Sequence, residues 1–239
     1  MRIRTLILLL AVGMLWLGES CSVATTVHFN KDFSGSYTSV MDMSEFIGMA
    51  ASFDTTGASD PNEMIAQMRH TMDSLNLGEL YNGMSGIRDA AVEVTDDGQI
   101  SFAFKFDNVE ALNASFKTME ENADNRGEEL TSDQIMPTDF LSGGKQSFTR
   151  QKKTLTYSFS SDGEASELLG AEGEDSGNLD MVSSMVDYTM EFTFDRKIKS
   201  SDVQGVDVIE KTAHSIKTRV DLGKMLKEGS YIAKSIMVQ

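Results

Sequence analysis

The chain has 239 residues, 40% of them hydrophobic, and a formal net charge of −16 at pH 7. This length suits one large domain or two small ones with a proper hydrophobic core. A surface with this negative charge is expected to repel phosphate backbones and anionic lipid head groups, which argues against direct binding to nucleic acids. Its single cysteine, Cys21, excludes an intramolecular disulfide.

Residues 1–20 have the pattern of an export signal. Arg2 and Arg4 precede a run of 12 residues, Leu6 to Leu17, that is apolar except for Gly13. That length is typical of a secretory signal peptide, whereas a membrane-spanning helix needs about 20 apolar residues. Small residues and then Cys21 follow the apolar run.

This order of basic start, apolar run, small residues and cysteine resembles the lipobox of bacterial lipoproteins. In that class the cysteine thiol carries diacylglycerol, the leader is cut before it, and the new amino group is usually acylated. Gly18 and Glu19 depart from the usual pattern. A secretory leader that leaves an ordinary thiol is one alternative, and an uncut anchor, which its length disfavours, is another. The resemblance implies a signal peptide over 1–20, lipid attachment at Cys21 and a short lipidated tether over 21–26.

Without residues 1–20, 19 basic and 36 acidic residues remain, a formal net charge of −17. We therefore expect the lipid on Cys21, rather than charge, to hold the protein at a membrane. Ser22 follows the cysteine, and no acidic run comes after it. In the lipoprotein class these features favour the outer membrane, facing the periplasm.

The first half of the remaining chain alternates hairpins with helices. Residues 25–43 predict a hairpin that turns at KDFSG, and Ser44 starts a short helix. Asp60 and Pro61 open a longer helix. Its apolar face would comprise Met64, Ile65, Met68, Met72 and Leu75.

The strongest hairpin follows at residues 90–106, with a turn at Asp97-Gly98, and a helix from Val109 to Met119 comes next. Residues 122–144 are polar and irregular.

The second half predicts further hairpins and three short helical segments. SFTRQKKTLTYSFS is a hairpin turning at Lys152-Lys153, and the segment DYTMEFTFDRKI alternates as a strand. VDVIEKTAHSIKTRVDL is another hairpin, and YIAKSIMV closes the chain as a strand. Helical segments are predicted at 164–169, 179–185 and 224–227.

These elements predict an α+β fold, with an antiparallel sheet built from successive β-hairpins and four or five interspersed helices. Residues 27–239 would form a single α+β domain or two lobes meeting near 123–145.

Three segments resemble a group of uncharacterised bacterial envelope lipoproteins. They are FNKDFSGSYTSVMDMSEFI, ISFAFKFDNVEALNASF and YTMEFTFDRKIKSSD. In that group an F-x-x-D-x-S-G-x-Y hairpin lies shortly after the lipidated cysteine. The resemblance implies an envelope lipoprotein with an α+β domain, and it implies no activity.

Candidate metal ligands are few or scattered. His28, His70 and His214 lie in different predicted elements, without a ligand spacing. Met64, Met68 and Met72 repeat along one helix, a pattern that would suit Cu(I) but is more typical of a buried face. The acidic loops DNRGEE and EGEDSG do not follow the EF-hand pattern for calcium. We predict no metal site and no cofactor.

Catalytic motifs are incomplete. GMSG at 83–86 is one residue shorter than a nucleophile elbow, and SGGK at 142–145 lacks the companion motifs of penicillin-recognising enzymes. The leading hypothesis is a non-enzymatic lipoprotein with a binding or structural role, whose partner is an envelope protein or an apolar ligand. The alternatives are an envelope hydrolase whose site one sequence does not reveal, and a Met/His metal-handling protein.

Overall fold

A computed structural model describes residues 21–53, 60–127, 145–161, 186–221 and 231–239. These ranges contain four helices: α1 (Ser44–Phe53), α2 (Pro61–Ser74), α3 (Leu77–Asn82) and α4 (Val109–Gly127). They also contain eleven strands: β1 (Cys21–Phe29), β2 (Gly35–Asp42), β3 (Ile87–Val94), β4 (Gln99–Phe106), β5 (Lys145–Gln151), β6 (Thr154–Ser160), β7 (Val186–Phe194), β8 (Ile198–Gln204), β9 (Asp207–Lys211), β10 (Ser215–Val220) and β11 (Tyr231–Val238).

Seven strands form the first sheet, in the order β3-β4-β2-β1-β7-β10-β9. Its adjacent strands β1 and β7 run parallel, with Cys21 opposite Val186 and Phe29 opposite Phe194. The other pairs are antiparallel. Every second residue along β2, β4 and most of β1 and β7 is buried. One face of the sheet therefore packs against other elements, as alternating strands predict.

The second sheet has the order β5-β6-β11-β8, and all its pairs are antiparallel. It packs on the inner face of the first sheet through aromatic rings. The ring centroid of Phe148 in β5 lies 5.6 Å from that of Phe29 and 5.5 Å from that of Phe192. Residues of both sheets belong to one buried cluster.

Helices α3 and α4 cover the part of the first sheet formed by β2 and β4. The ring centroid of Tyr81 in α3 lies 4.9 Å from that of Phe102, and that of Phe116 in α4 lies 5.7 Å from that of Tyr37. Asn113 ties α4 to β5, since its amide side chain bonds both the N–H and the carbonyl of Phe148. The core is thus closed partly by the second sheet and partly by helices.

The broad α+β class agrees with the prediction, but the sheet built from successive hairpins is wrong. Predicted hairpins are present at β1-β2, β3-β4, β5-β6 and β9-β10. However, β1 pairs in parallel with β7, more than 150 residues away, and β11 lies between β6 and β8. Local alternation identifies a strand but carries no information about a distant partner, which is why these pairings were missed.

The helix pattern also differs from the predicted four or five helices interspersed among hairpins. Helices α1, α2 and α4 lie where they were predicted, whereas α3 and strand β8 were not predicted. Helix α3 has only six residues, LGELYN, which is too short for a periodic apolar face. The predicted helices at 164–169, 179–185 and 224–227 lie outside the described residues.

Residues 21–26 form part of β1 instead of a tether. From Ser22 onward they pair with β2 on one side, and from Cys21 with β7 on the other. Strands that precede residues 123–145 and strands that follow them lie together in the first sheet. The chain is therefore not divided at that segment into one sheet before it and another after it.

Candidate functional site

Cys21, the predicted lipid-attachment residue, is the first residue of β1. It lies opposite Val186 of β7 and is half-buried. Its thiol donates a weak hydrogen bond to the Met43 sulfur, with 3.6 Å between the two sulfur atoms. Cys21 therefore lies at the edge of the core, at the end of the sheet where β1 and β7 begin.

The surroundings of Cys21 keep its thiol protonated. Burial raises the pKa of Cys21, and the nearby carboxylate of Asp42 raises it further. Because the thiolate is the reactive form, an unmodified Cys21 in the folded domain is a poor nucleophile. It behaves there as a small apolar side chain.

The F-x-x-D-x-S-G-x-Y motif, residues 29–37, forms the turn between β1 and β2. The Asp32 carboxylate accepts hydrogen bonds from the Ser34 N–H and hydroxyl, at 3.0 and 2.7 Å. These bonds lower the pKa of Asp32. Phe29 and Tyr37 are buried, and Tyr37 stacks on Phe104. These residues of the motif thus serve to form the turn and the core.

The three histidines do not meet at one point. His28 bonds the Thr193 hydroxyl at 2.8 Å and lies 3.4 Å from the Asp195 carboxylate. His214 bonds the Phe194 carbonyl, near the same end of β7, whereas His70 is exposed on α2. In the described ranges, no group of three or more His, Cys, Asp or Glu side chains is placed to hold a metal ion.

The methionines on α2 show the graded exposure that is expected of an amphipathic helix. Met72 is buried, as is Ile65, while Met64 and Met68 are half-buried. This gradient fits a helix that packs one face on the domain.

The two incomplete catalytic motifs lie in a turn and at the start of a strand. GMSG lies in the turn between α3 and β3, where Gly86 has a φ of 80°. Of SGGK, only Lys145 is described, as the exposed first residue of β5. Of the acidic loops, the last two residues of DNRGEE and all of EGEDSG lie outside the described residues.

Sequence reasoning missed Lys234, a lysine in the core between the sheets. Its side chain is 1% exposed, and its ammonium nitrogen lies 2.8 Å from the Thr218 hydroxyl. The same nitrogen lies 4.7 Å from the centroid of the Phe192 ring and 5.4 Å from that of Tyr157. Desolvation lowers the pKa of Lys234 to about 7. Alternation in YIAKSIMV, which buries Ile232 and Ile236, could have indicated this inward position.

Sequence reasoning also missed a cluster of basic residues at the end of the sheets remote from Cys21. We call it the basic cap and define it as residues 30–34, 150–153, 195–199 and 238–239. It contains two acidic residues and seven basic ones: Lys31, Arg150, Lys152, Lys153, Arg196, Lys197 and Lys199. Three separate chain segments supply these residues, so no single stretch of sequence indicates the cluster.

No protein-family model matches the chain, and no curated protein sequence matches it. Among solved structures, it is similar to the folded domain of LppM from Mycobacterium tuberculosis, determined by NMR. The identity is 13% and the TM-score 0.40, covering 93% of this chain and 92% of that chain. The Fcho1 mu homology domain of Danio rerio, with a bound Eps15 peptide, has 7% identity and a TM-score of 0.17, covering 92% of this chain and 80% of that chain. Both likenesses are too distant to assign a family or a function.

No helix in the described part of the chain is both long enough and apolar enough to span a bilayer.

Proposed function

We propose that the chain is a bacterial lipoprotein, held on the periplasmic side of the outer membrane by lipid on Cys21. Its α+β domain has a binding or structural role rather than a catalytic one. The observation that carries this proposal is the leader, with its two arginines, 12-residue apolar run, small residues and single cysteine. Two or three acyl chains on one residue anchor a protein durably, because each buried methylene adds about 0.8 kcal/mol.

The position of Cys21 in β1 supports an anchor that holds the domain close to the membrane surface. Since Cys21 is already paired with Val186, no flexible leash separates the lipid from the first sheet. The acyl chains leave from the end of the sheet where β1 and β7 begin. The domain therefore rests with that end towards the bilayer.

The contacts of Cys21 favour lipid attachment before folding. The thiol touches Met43 and has a raised pKa in the packed domain. An extended chain would instead present an accessible cysteine with an ordinary pKa. We expect acylation to come first and the pairing of β1 to follow.

A non-catalytic role is supported by the positions of residues in the segments that resemble envelope lipoproteins. Phe29, Tyr37, Phe104 and Phe194 fill the core, and Asp32 ties a turn. These five residues of the resembling segments thus have structural duties.

The intact mass of the native protein from the membrane fraction tests the anchor. We expect a chain that starts at Cys21 and is heavier by two or three acyl groups. Cys21→Ser, which is nearly isosteric, should leave the protein unprocessed or release it, because it removes the attachment atom. Ser22→Ala, at an exposed position next to it, should stay on the membrane. A native protein that lacks lipid and is cut elsewhere would refute the anchor.

A further inference from the structure

The basic cap is one continuous surface, because its segments are bonded to each other. The Arg150 guanidinium donates to the Asp32 carbonyl at 3.0 Å and lies over the Phe33 ring. The Val238 N–H donates to the Lys153 carbonyl, and the Gln239 N–H donates to the Lys197 carbonyl, both at 2.9 Å. These bonds hold the β1-β2 turn, the β5-β6 turn and the loop between β7 and β8 side by side.

Within the described part of the chain, the lysines of the basic cap have no acidic partners. Lys31, Lys152, Lys153, Lys197 and Lys199 are exposed, and none forms an ion pair with a carboxylate in the described ranges. The two acidic residues of the cap are already engaged. Asp32 accepts from Ser34, and Asp195 lies beside His28. The side chains of the cap therefore carry a formal net charge of +5, on a chain that is strongly acidic elsewhere.

The basic cap lies at the end of the sheets opposite Cys21. β1 begins at Cys21 and ends at Phe29, whose carbonyl accepts from the Asp195 N–H of the cap. Nine residues of strand place the two ends about 25 Å apart. Asp42 and Asp187 flank Ser22 at the Cys21 end. Since charge interactions are screened beyond about 8–10 Å, the cap can attract an anionic surface despite the net negative charge.

We propose that the basic cap docks on an anionic phospholipid surface. Lysine ammonium groups are compact charges that meet phosphates without a fixed bidentate geometry, so several of them on loop tips suit a plane of head groups. Met237, a 38% exposed apolar side chain opposite Thr154 and Ser200, lies next to the cap and can enter the head-group region.

Vesicle flotation tests this docking without involving the anchor. The protein is the chain from residue 21 onward, which holds every described element, with Cys21→Ser. We expect it to bind vesicles containing phosphatidylglycerol at low salt, to be released at high salt, and to ignore pure phosphatidylcholine vesicles. The triple variant Lys152→Gln, Lys153→Gln and Lys197→Gln should bind roughly a hundredfold more weakly, from about fivefold per lysine.

A second triple variant controls for net charge. Lys117→Gln, Lys145→Gln and Lys217→Gln removes the same charge from positions outside the cap, and it should bind phosphatidylglycerol vesicles like the parent. The proposal is overturned if the parent ignores these vesicles, if both triple variants lose binding equally, or if salt-sensitive self-association replaces vesicle binding. Because the protein tested carries no lipid, these results are independent of whether Cys21 is acylated.

An anchor at one end and the basic cap at the other would let the molecule connect two membranes. This consequence rests on the proposed function. Lipidated protein in one vesicle population should cluster a second, phosphatidylglycerol-containing population, and the cap variant should abolish that clustering. If the protein binds vesicles in flotation but does not cluster the two vesicle populations, the cap docks on a membrane but the anchored domain does not connect two membranes.

Discussion

Lys234→Met is expected to stabilise the domain by about 2–4 kcal/mol at neutral pH, as measured by urea unfolding. Lys234 is buried between Thr218 and the Phe192 ring, and its pKa falls from 10.5 to about 7. A pKa change of that size means that the charged form of the lysine is destabilised by about 5 kcal/mol in the folded protein. Methionine has a similar length and removes the charge. The Thr218 hydroxyl still donates to the Met190 carbonyl, so no donor is left without a partner.

The pH dependence of unfolding supplies a second signature of Lys234. Above about pH 7 the folded protein releases a proton that the unfolded chain keeps until about pH 10.5. The unfolded state then binds more protons, so the free energy of unfolding rises with pH by up to about 1.4 kcal/mol per unit in this window. Below about pH 7 both states are protonated and the full penalty applies. Tyr157 faces Lys234, and Tyr188 lies in the same core, but their pKa values are raised. The pKa of Cys21 is also raised on folding, and its thiol would add an opposite slope near the upper end of this window. In the Cys21→Ser protein, pH 7 to 9 therefore isolates the lysine.

Lys234→Met should remove that slope, whereas Lys217→Met, at a half-exposed position on β10, should keep it. A Lys234 variant that is less stable than the parent would show that the ammonium group contributes favourably in the core. A variant that retains the slope would show that a group other than Lys234 causes it.

Gly35→Ala is expected to destabilise the domain by more than about 3 kcal/mol, or to prevent folding, because the added Cβ has no space. It would overlap the His28 carbonyl oxygen and lie 2.7 Å from the Phe106 ring. The first of these neighbours is backbone in β1, which is held on both sides by pairing with β2 and β7. Relief would require separating the strands of the first sheet. Thermal unfolding of the purified variant, or its loss from the soluble fraction, measures the effect.

Gly48→Ala is the matched control, since nothing lies within 4 Å of a Cβ at that helical position. It should raise the free energy of unfolding by about 0.5–1 kcal/mol, because alanine loses less backbone entropy in a helix than glycine. Equal stability of the two variants would contradict the close packing at the β1-β2 turn.

The elements that the sequence predicted well are those with local signals. The hairpin over β3 and β4 has an Asp97-Gly98 turn, and Gly98 has a φ of 86°, which glycine adopts easily. α2 begins as its cap predicts, with the Asp60 side chain accepting from the Asn62 N–H. Strand β8 was missed because its residues, IKSSDVQ, are mostly polar and include no fully buried position.

The candidate site was less predictable, because its features depend on distant contacts. Cys21 stood out by composition, but its place inside β1 depends on residues 186–194. The basic cap joins Lys31, Lys152 and Lys197, which are far apart in the sequence. Lys234 lies in a clear alternating strand, yet lysine is so rarely buried that alternation alone did not indicate a core position.

The strand order also determines when the domain can be completed as the chain is synthesised from its N-terminus. β1 comes first, but its edge towards β7 finds its partner only after residue 186 has followed. In the second sheet, β6 and β8 are joined only when residues 231–238 arrive. Open strand edges can pair with other chains, and such long-range pairing is slow. The period most exposed to such wrong pairing is therefore the one before residues 186–238 have been made, when a finished β1-β2 hairpin still lacks its β7 partner.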